Sequence, residues 1–437
     1  MKRLLVLLCI VFYCFANGRN LSADTSTPEG KPSCLKISFS QRTRLETNDN
    51  TIGLDTSLHN GTTYTRHRNS LSARWMPNNR FEFFFKWSNE FRYYFVPDSI
   101  EFNLHEVFVD NVYIKWTLPV GIPLILTAGR QDIMLGEGFL VMDANPLDGS
   151  RSAYFNGIRL DCSVQPGHVL TLFYVYQPVS DDLLPILHDQ DQKMVEQPED
   201  GIGLYYTGKK GNTDLEVYLI RKSIRSTDAV PVRSGINTVG GRGVFPLNQK
   251  LTLTGEMAYQ FGTYGDFKRS AWGGYFYFDY RLGCALPLPR TCTLGTIALS
   301  GDNSKTDRME AWDPLFSRWP KWSDSYIYAV IPEKGRRPAY WSNFISLYGG
   351  VVFHIAGPVN LEFTYHRLLA PEVAPQNQPF PGGTGKTRGD LFIIKPTFQL
   401  CRFVSGRVIW EIFKPGTFYR KDADSYNWLQ VQFLTTF

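Results

Sequence analysis

After residue 15 this sequence has no long apolar run: no stretch reaches eighteen consecutive apolar residues, so no helix of the chain is long and apolar enough to cross a bilayer. Charge of one sign is missing too. Once Lys2 and Arg3 are set aside, 44 basic residues face 41 acidic ones, too even for a bulk nucleic-acid-binding field. Cysteine is sparse: Cys9 and Cys14 lie in the first apolar run, and Cys34, Cys162 and Cys401 are scattered, which argues against a disulfide scaffold or a metal cluster. There are seven histidines, and none sits in a recognisable serine motif, which speaks against a Ser-His-acid hydrolase. The glycines of LGEGF (135–139) lack a following helix and a Lys-Ser/Thr pair, so they do not read as a phosphate cradle.

What is present points to export. Lys2 and Arg3 precede an apolar run from Leu4 to Phe15, and Ala16 and Gly18 offer small residues for cleavage. This reads as a secretory signal peptide over 1–16, followed by an N-terminal periplasmic segment over 17–34. Aromatics make up 15% of the chain while mean hydropathy is only -0.22. That pairing suits a membrane β-barrel, where alternate residues face lipid; a large secreted β-protein shares it.

Period-two segments decide between them. Eighteen occur, from 35–47 to 426–437, with no convincing amphipathic helix between. Their connections alternate. Short ones (76–79, 118–122, 165–167, 208–212, 246–248, 355–357) carry turn residues, and long ones fall at 134–151, 177–200, 222–233, 301–341, 370–387 and 414–425. The expected fold is all-β: a transmembrane antiparallel up-and-down barrel over 35–437, of about 18 strands, with short periplasmic turns and long extracellular loops. The expected location is the cell outer membrane.

The faces fit. Lys36, Ser38, Ser40, Arg42, Arg44 and Glu46 share one side of a strand, as do Arg66, Arg68, Ser70, Ser72 and Arg74. On the lipid side each charge would cost roughly 2–4 kcal/mol near mid-membrane, so these rows are expected to face a polar lumen. In WLQVQFLTTF (428–437), Leu429, Val431, Phe433, Thr435 and Phe437 alternate with Gln430 and Gln432, which predicts a strand that pairs with the first and presents its aromatic face to lipid. A terminal aromatic such as Phe437 also resembles the signal read by barrel-assembly machinery, an expected partner.

Several blocks, in order along the chain, resemble the alginate export family of outer-membrane porins. They are RTRLE (42–46), LTAGRQDIMLGEGFLVMDANPLDGSRSAYFNGIRL (126–160), GGRGVFPLNQKLTLTGEMAYQFG (240–262), SGDNSKTD with WDPLF (300–316) and FKPGTFY (413–419). The resemblance implies a passive, anion-selective channel with an arginine-rich lumen, whose best-known relative passes alginate outward. It also implies that LGEGF belongs to an extracellular fold over the pore.

Passive transport needs spaced charges rather than a nucleophile. Arginine suits carboxylates because its planar fork can make two hydrogen bonds. The pore-lining candidates are Arg42, Arg44, Arg66, Arg68, Arg74, Arg92, Arg130, Arg159 and Arg242. Glu46, Glu82, Glu90, Glu106, Asp110 and Glu256 are their acidic partners; a structural lattice of paired charges is the competing role. Cys284 and Cys292 bracket a periplasmic turn and are expected to pair in an oxidising compartment. Asp302 and Asp307 form a weak calcium candidate without the spacing of a calcium hand. Trp75, Trp87, Trp116, Tyr93, Tyr94, Tyr113, Trp410 and Trp428 are expected to form interfacial girdles, and His354 and His366 to face each other across a hairpin. No cofactor and no nucleic-acid partner are expected; outer-membrane lipid and an anionic solute or polysaccharide are. The leading function is export or diffusion of anionic solutes, and the alternative is a general or uptake porin for small anions or oligosaccharides.

Overall fold

The computed structural model describes residues 35–50, 53–102, 104, 106–142, 154–191, 193–283, 289–317, 323, 341–374 and 381–437. The expected signal peptide and the 17–34 segment lie outside them. Eighteen long strands follow in order: β1 Leu35–Asn48, β2 Thr62–Asn78, β3 Phe81–Val96, β4 Val107–Thr117, β5 Leu124–Gln131, β6 Phe155–Gln165, β7 His168–Gln177, β8 Glu199–Lys210, β9 Thr213–Ile224, β10 Ser234–Pro246, β11 Leu251–Tyr264, β12 Phe267–Arg281, β13 Pro289–Leu299, β14 Phe344–Ala356, β15 Val359–Leu369, β16 Thr387–Cys401, β17 Val404–Pro415 and β18 Tyr426–Thr436. Each pairs antiparallel with the next, and β18 closes on β1 through Ser40–Thr436 to Asn48–Trp428. The result is the closed barrel expected from the period-two pattern, and closure is what lets strands cross lipid with every backbone ladder satisfied.

Strand β9 shows why the sequence folds this way. Leu215, Val217 and Leu219 are half exposed on the outer wall, whereas Glu216, Tyr218 and Ile220 are buried. One residue of slip would put Glu216 into lipid, so the alternation pins the register. The reversals are tight: Gly211 (φ 61°) and Gly357 (φ 52°) occupy left-handed turn positions that a side chain would strain.

Two departures from ideal alternation shape the interior. Lys86 pairs with Asn111 and Trp87 with Val109, so Asp110 is an extra residue in β4. This bulge turns both Asp110 and Asn111 inward, where both are buried, and reverses the phase beyond them. Second, the long loops enter the barrel. The segment after β5 contacts inward residues of β12: Phe139 packs on Tyr275 (5.4 Å), on Trp312 of the loop after β13 (5.2 Å), and on Trp341 (5.6 Å). The two loops are joined by a parallel bridge between Val141 and Phe316. A two-residue strand, Ile186–Leu187, extends the wall beside Val107–Phe108 of β4.

A charged lumenal wall and its mouth

Alternation on β1, β2 and β3 brings arginines into direct opposition. Arg42 faces Arg68, Arg44 faces Arg66, and Arg66 faces Arg92 on its other side. Like charges so placed repel, and interleaved carboxylates offset them. Glu46 lies 3.8 Å from Arg44 and 3.4 Å from Arg66 and accepts the Tyr64 hydroxyl at 2.7 Å. Arg68 reaches Glu90 at 3.4 Å and Asp110 at 2.7 Å. Asp110 also takes Lys86 and the Ser88 hydroxyl, each at 2.7 Å, a convergence that the β4 bulge makes possible. Arg44 Nε donates to Gln432 Oε1 at 2.6 Å across the barrel seam. Arg92 lies 5.2 Å from the centre of the Tyr64 ring. Arg42, Arg44, Arg66, Arg68, Glu46, Glu90 and Asp110 are all buried, and Glu106 is buried beneath the 178–198 loop, accepting the Gln190 N–H at 3.0 Å.

Toward the short turns the same wall opens into a cleft of about 400 Å³. Arg74, Lys86, Lys115 and Arg159 line it, together with Phe84 and Tyr113, whose rings stack at 5.1 Å. Arg74 is nearly half exposed and lies 3.6 Å from Glu82. Arg159 lies 2.9 Å from Asp161. Arg74 is the most exposed of these cations, Lys86 and Arg159 are partly buried, and Asp132 and Asp161 share the lining.

The opposite wall is held differently. Glu137 crosses from the 132–142 loop to Arg242 (3.1 Å) on β10 and accepts the Tyr277 hydroxyl (2.6 Å) from β12. Arg242 also pairs with Glu216 at 2.7 Å. Lys222 binds Glu199 at 2.9 Å and donates to the Leu315 carbonyl at 2.6 Å. Gln260 holds Asp313 through both its amide donor and its carbonyl. Tyr218 and Tyr275 both donate to Glu256 at 2.9 Å. Glu137, Lys222 and Asp313 were not foreseen as site residues: Glu137 and Asp313 lie in loops, and Lys222 continues the inward phase of β9 into the long connection expected from 222. Glu137 had one signal, a lone carboxylate between Gly136 and Gly138, both at positive φ.

Several expectations are corrected. Arg130 shares its phase with Leu124, Leu126 and Ala128 on the outer wall; its guanidinium is buried against Asp181 (2.6 Å), the Val109 carbonyl (2.8 Å) and the Tyr154 ring (3.9 Å), so it fastens the 178–198 loop and does not line the lumen. Tyr113 is in the lumenal cleft because of the bulge, Tyr94 meets inward Arg92 (3.3 Å), and Trp428 is fully buried. Trp75, Trp87, Tyr93 and Trp410 do face outward, with sizeable exposure. His366 pairs in register with Tyr348 and bonds Ser346 (2.9 Å), while His354 meets Asn360 (3.0 Å), so the two histidines do not face each other. Cys292 lies inside β13, and its expected partner Cys284 lies outside the described residues. The Asp302 carboxylate is taken by the Glu310 N–H at 2.8 Å, and among the described residues no group of three or more His, Cys, Asp or Glu is placed to hold a metal.

Comparison with known proteins agrees with this geometry. The family model described as alginate export matches residues 33–328. Among solved structures, OccAB3 of Acinetobacter baumannii superposes with a TM-score of 0.59 at 10% identity, covering 92% of this chain and 99% of that one. OccK5 (OpdH) of Pseudomonas aeruginosa gives 0.58 at 13% identity, covering 92% and 98%. At such identities the likeness shows the fold alone. No curated protein matches the chain.

Proposed function

The chain belongs to the alginate export family, and from that premise we propose that this outer-membrane channel passes anionic solutes by passive diffusion, including an alginate-like acidic polysaccharide. The observation that carries the reading is the open mouth cleft, where the four cations Arg74, Lys86, Lys115 and Arg159 outnumber Asp132 and Asp161 and share the lining with the stacked Phe84–Tyr113 pair. A uronate residue offers a carboxylate for the arginine fork and an apolar ring face for the aromatics. Beyond the mouth, Arg42, Arg44, Arg66, Arg68 and Arg92 form a row in which cations outnumber carboxylates, a potential that favours anions, while Glu46, Glu90 and Asp110 keep any one site from trapping them. Passage of this kind needs no catalytic group.

A second reading, passage of small anions or short oligosaccharides, is favoured by one specific observation. The 132–142 and 300–317 loops meet inside the barrel, and the deeper arginines are buried, which narrows what can pass unless the loops part. On either reading the strand ending in Phe437 is the segment offered to barrel-assembly machinery.

The test is single-channel conductance of the refolded protein in a planar bilayer, with the reversal potential taken in a salt gradient and a polyuronate added to one side. Anion preference with current block by polymer is expected from the first reading. Anion preference without block leaves the second. Cation preference overturns both.

A further inference from the structure

The two rims of the barrel differ in charge. The eight short turns, each taken with one strand residue on either side, carry Arg80, Lys210, Lys250, Arg281 and Arg402 and no Asp or Glu. The next position outward adds Lys209 and Arg290 against Glu82 and Asp214; Glu82 faces the lumenal Arg74, and Asp214 lies 3.7 Å from Lys209. The long loops show no such bias: residues 178–198 hold Asp181, Asp182, Asp189, Asp191 and Glu196 against Lys193 alone. All five turn cations are exposed.

Their surroundings fix their depth. The Arg402 guanidinium lies 4.3 Å from the centre of the Phe403 ring, and Phe403 packs at 5.3 Å on Phe437, which is 60% exposed on the outer wall. Arg80 precedes Phe81, whose ring stacks on Trp116 at 5.7 Å. Arg281 follows the outward Tyr280, and Lys250 shares a turn with the exposed Leu247. Four of the five cations therefore sit where an outward apolar or aromatic column ends, the level at which interfacial aromatics meet lipid headgroups.

We propose that this rim is a docking surface for the phosphodiester headgroups of anionic phospholipids in the leaflet around it. A ring of exposed cations with no carboxylate between them, set at headgroup depth, matches a negative lipid surface and is screened by salt. Cations that served only to gather solute would have no need to cap the outward columns.

The test uses the full chain in nanodiscs containing equal parts phosphatidylglycerol and phosphatidylcholine with the same acyl chains. After mild detergent extraction, the lipids that stay with the protein are counted by native mass spectrometry. We expect phosphatidylglycerol to be retained over phosphatidylcholine by about threefold or more, the preference of several juxtaposed cations for an anionic surface. It should fall to parity when Arg80, Lys210, Lys250, Arg281 and Arg402 are all changed to Gln, and should shrink at about 0.5 M salt. A control changing Lys193, Arg225, Arg233, Lys305 and Lys421 of the long loops to Gln should keep the preference. If the fivefold variant does not fold, the pair Arg80→Gln and Arg402→Gln should still lower the ratio. Parity in the unmodified protein, equal loss in rim and loop variants, or a rim variant that keeps its lipid preference while losing polyuronate block would each overturn the proposal.

Discussion

The lumen has two walls built on opposite principles. On β1–β4, charges meet charges: four buried arginines are set against one another in register and held by Glu46, Glu90 and Asp110. On β7–β14 the wall is mixed: Phe173, Tyr218, Ile220, Ile236, Ile297 and Leu299 are buried beside Glu216, Lys222, Glu256 and Gln260, and loops both pack onto it and bond to it. Both walls come from the same alternation of strand residues. The difference lies in what the inward positions meet: on β7–β14 apolar and polar side chains together capture loops and close, whereas on β1–β4 the charges satisfy one another side chain to side chain and leave the short-turn end open as a cleft.

The sharpest way to break that contrast is Asp110→Ala. It leaves the buried Arg68 and the partly buried Lys86 without their shared carboxylate, and loss of one partner of a buried pair costs about 3–5 kcal/mol. Denaturant unfolding of the detergent-solubilised barrel should register a loss of that size; an unchanged midpoint would mean that the charged wall does not hold itself together through Asp110. Next comes the loop-bearing wall. Phe139→Ala removes the ring that joins Tyr275, Trp312 and Trp341, a loss of about 3–5 kcal/mol of packing for a fully buried aromatic. Because that packing holds a loop, the expected readout is raised and noisier single-channel conductance, with barrel unfolding shifted less than in Asp110→Ala. Third, changing Arg74 and Arg159 together to Gln in the open cleft should move the reversal potential toward cations, with stability altered by no more than about 0.5 kcal/mol for each such surface change. A stability loss as large as that of Asp110→Ala would show that the mouth is structural after all.

The smallest effect lies outside the membrane. The Ser57 hydroxyl and the Arg420 guanidinium hold the Asp55 carboxyl below its ordinary range, and Thr56 does the same for Asp424. A depressed carboxylate contributes stability that is present above its ordinary pKa and lost as pH falls through the depressed one. Below about pH 4, the ordinary carboxylate value, the contacts between residues 53–61 and 416–425 should loosen, and limited proteolysis there should speed up while the barrel stays folded.

Much of the wall was legible in the sequence, because a period of two is a local property. Gln430 and Gln432 against Val431 and Phe433 already define two faces. The β4 phase beyond Asp110 was not legible: an inserted residue leaves no mark in the alternation until a register is known, so Tyr113 read as outward when it faces in. Arg130 failed for a related reason. A buried outward-phase arginine is tolerable only under a loop, and the Asp181 that covers it is 51 positions away. The Glu137–Arg242 contact, spanning 105 positions, belongs to tertiary structure alone. The arginine rows share a strand face that the sequence shows, yet their burial depends on neighbours that no single strand discloses.

The seam between β1 and β18 has a further consequence. Every other barrel strand meets a neighbour in the chain, but Arg44 and Gln432 are 388 positions apart. By polymer statistics, bringing together ends so far apart costs about 5 kcal/mol of chain entropy, roughly (3/2)RT ln n. The hairpins can therefore form early and locally, and the seam is the contact expected to form last. Until it does, the sheet has two unpaired edges, each a template for a neighbouring molecule. The fold is thus most vulnerable to aggregation in the interval before β1 finds β18.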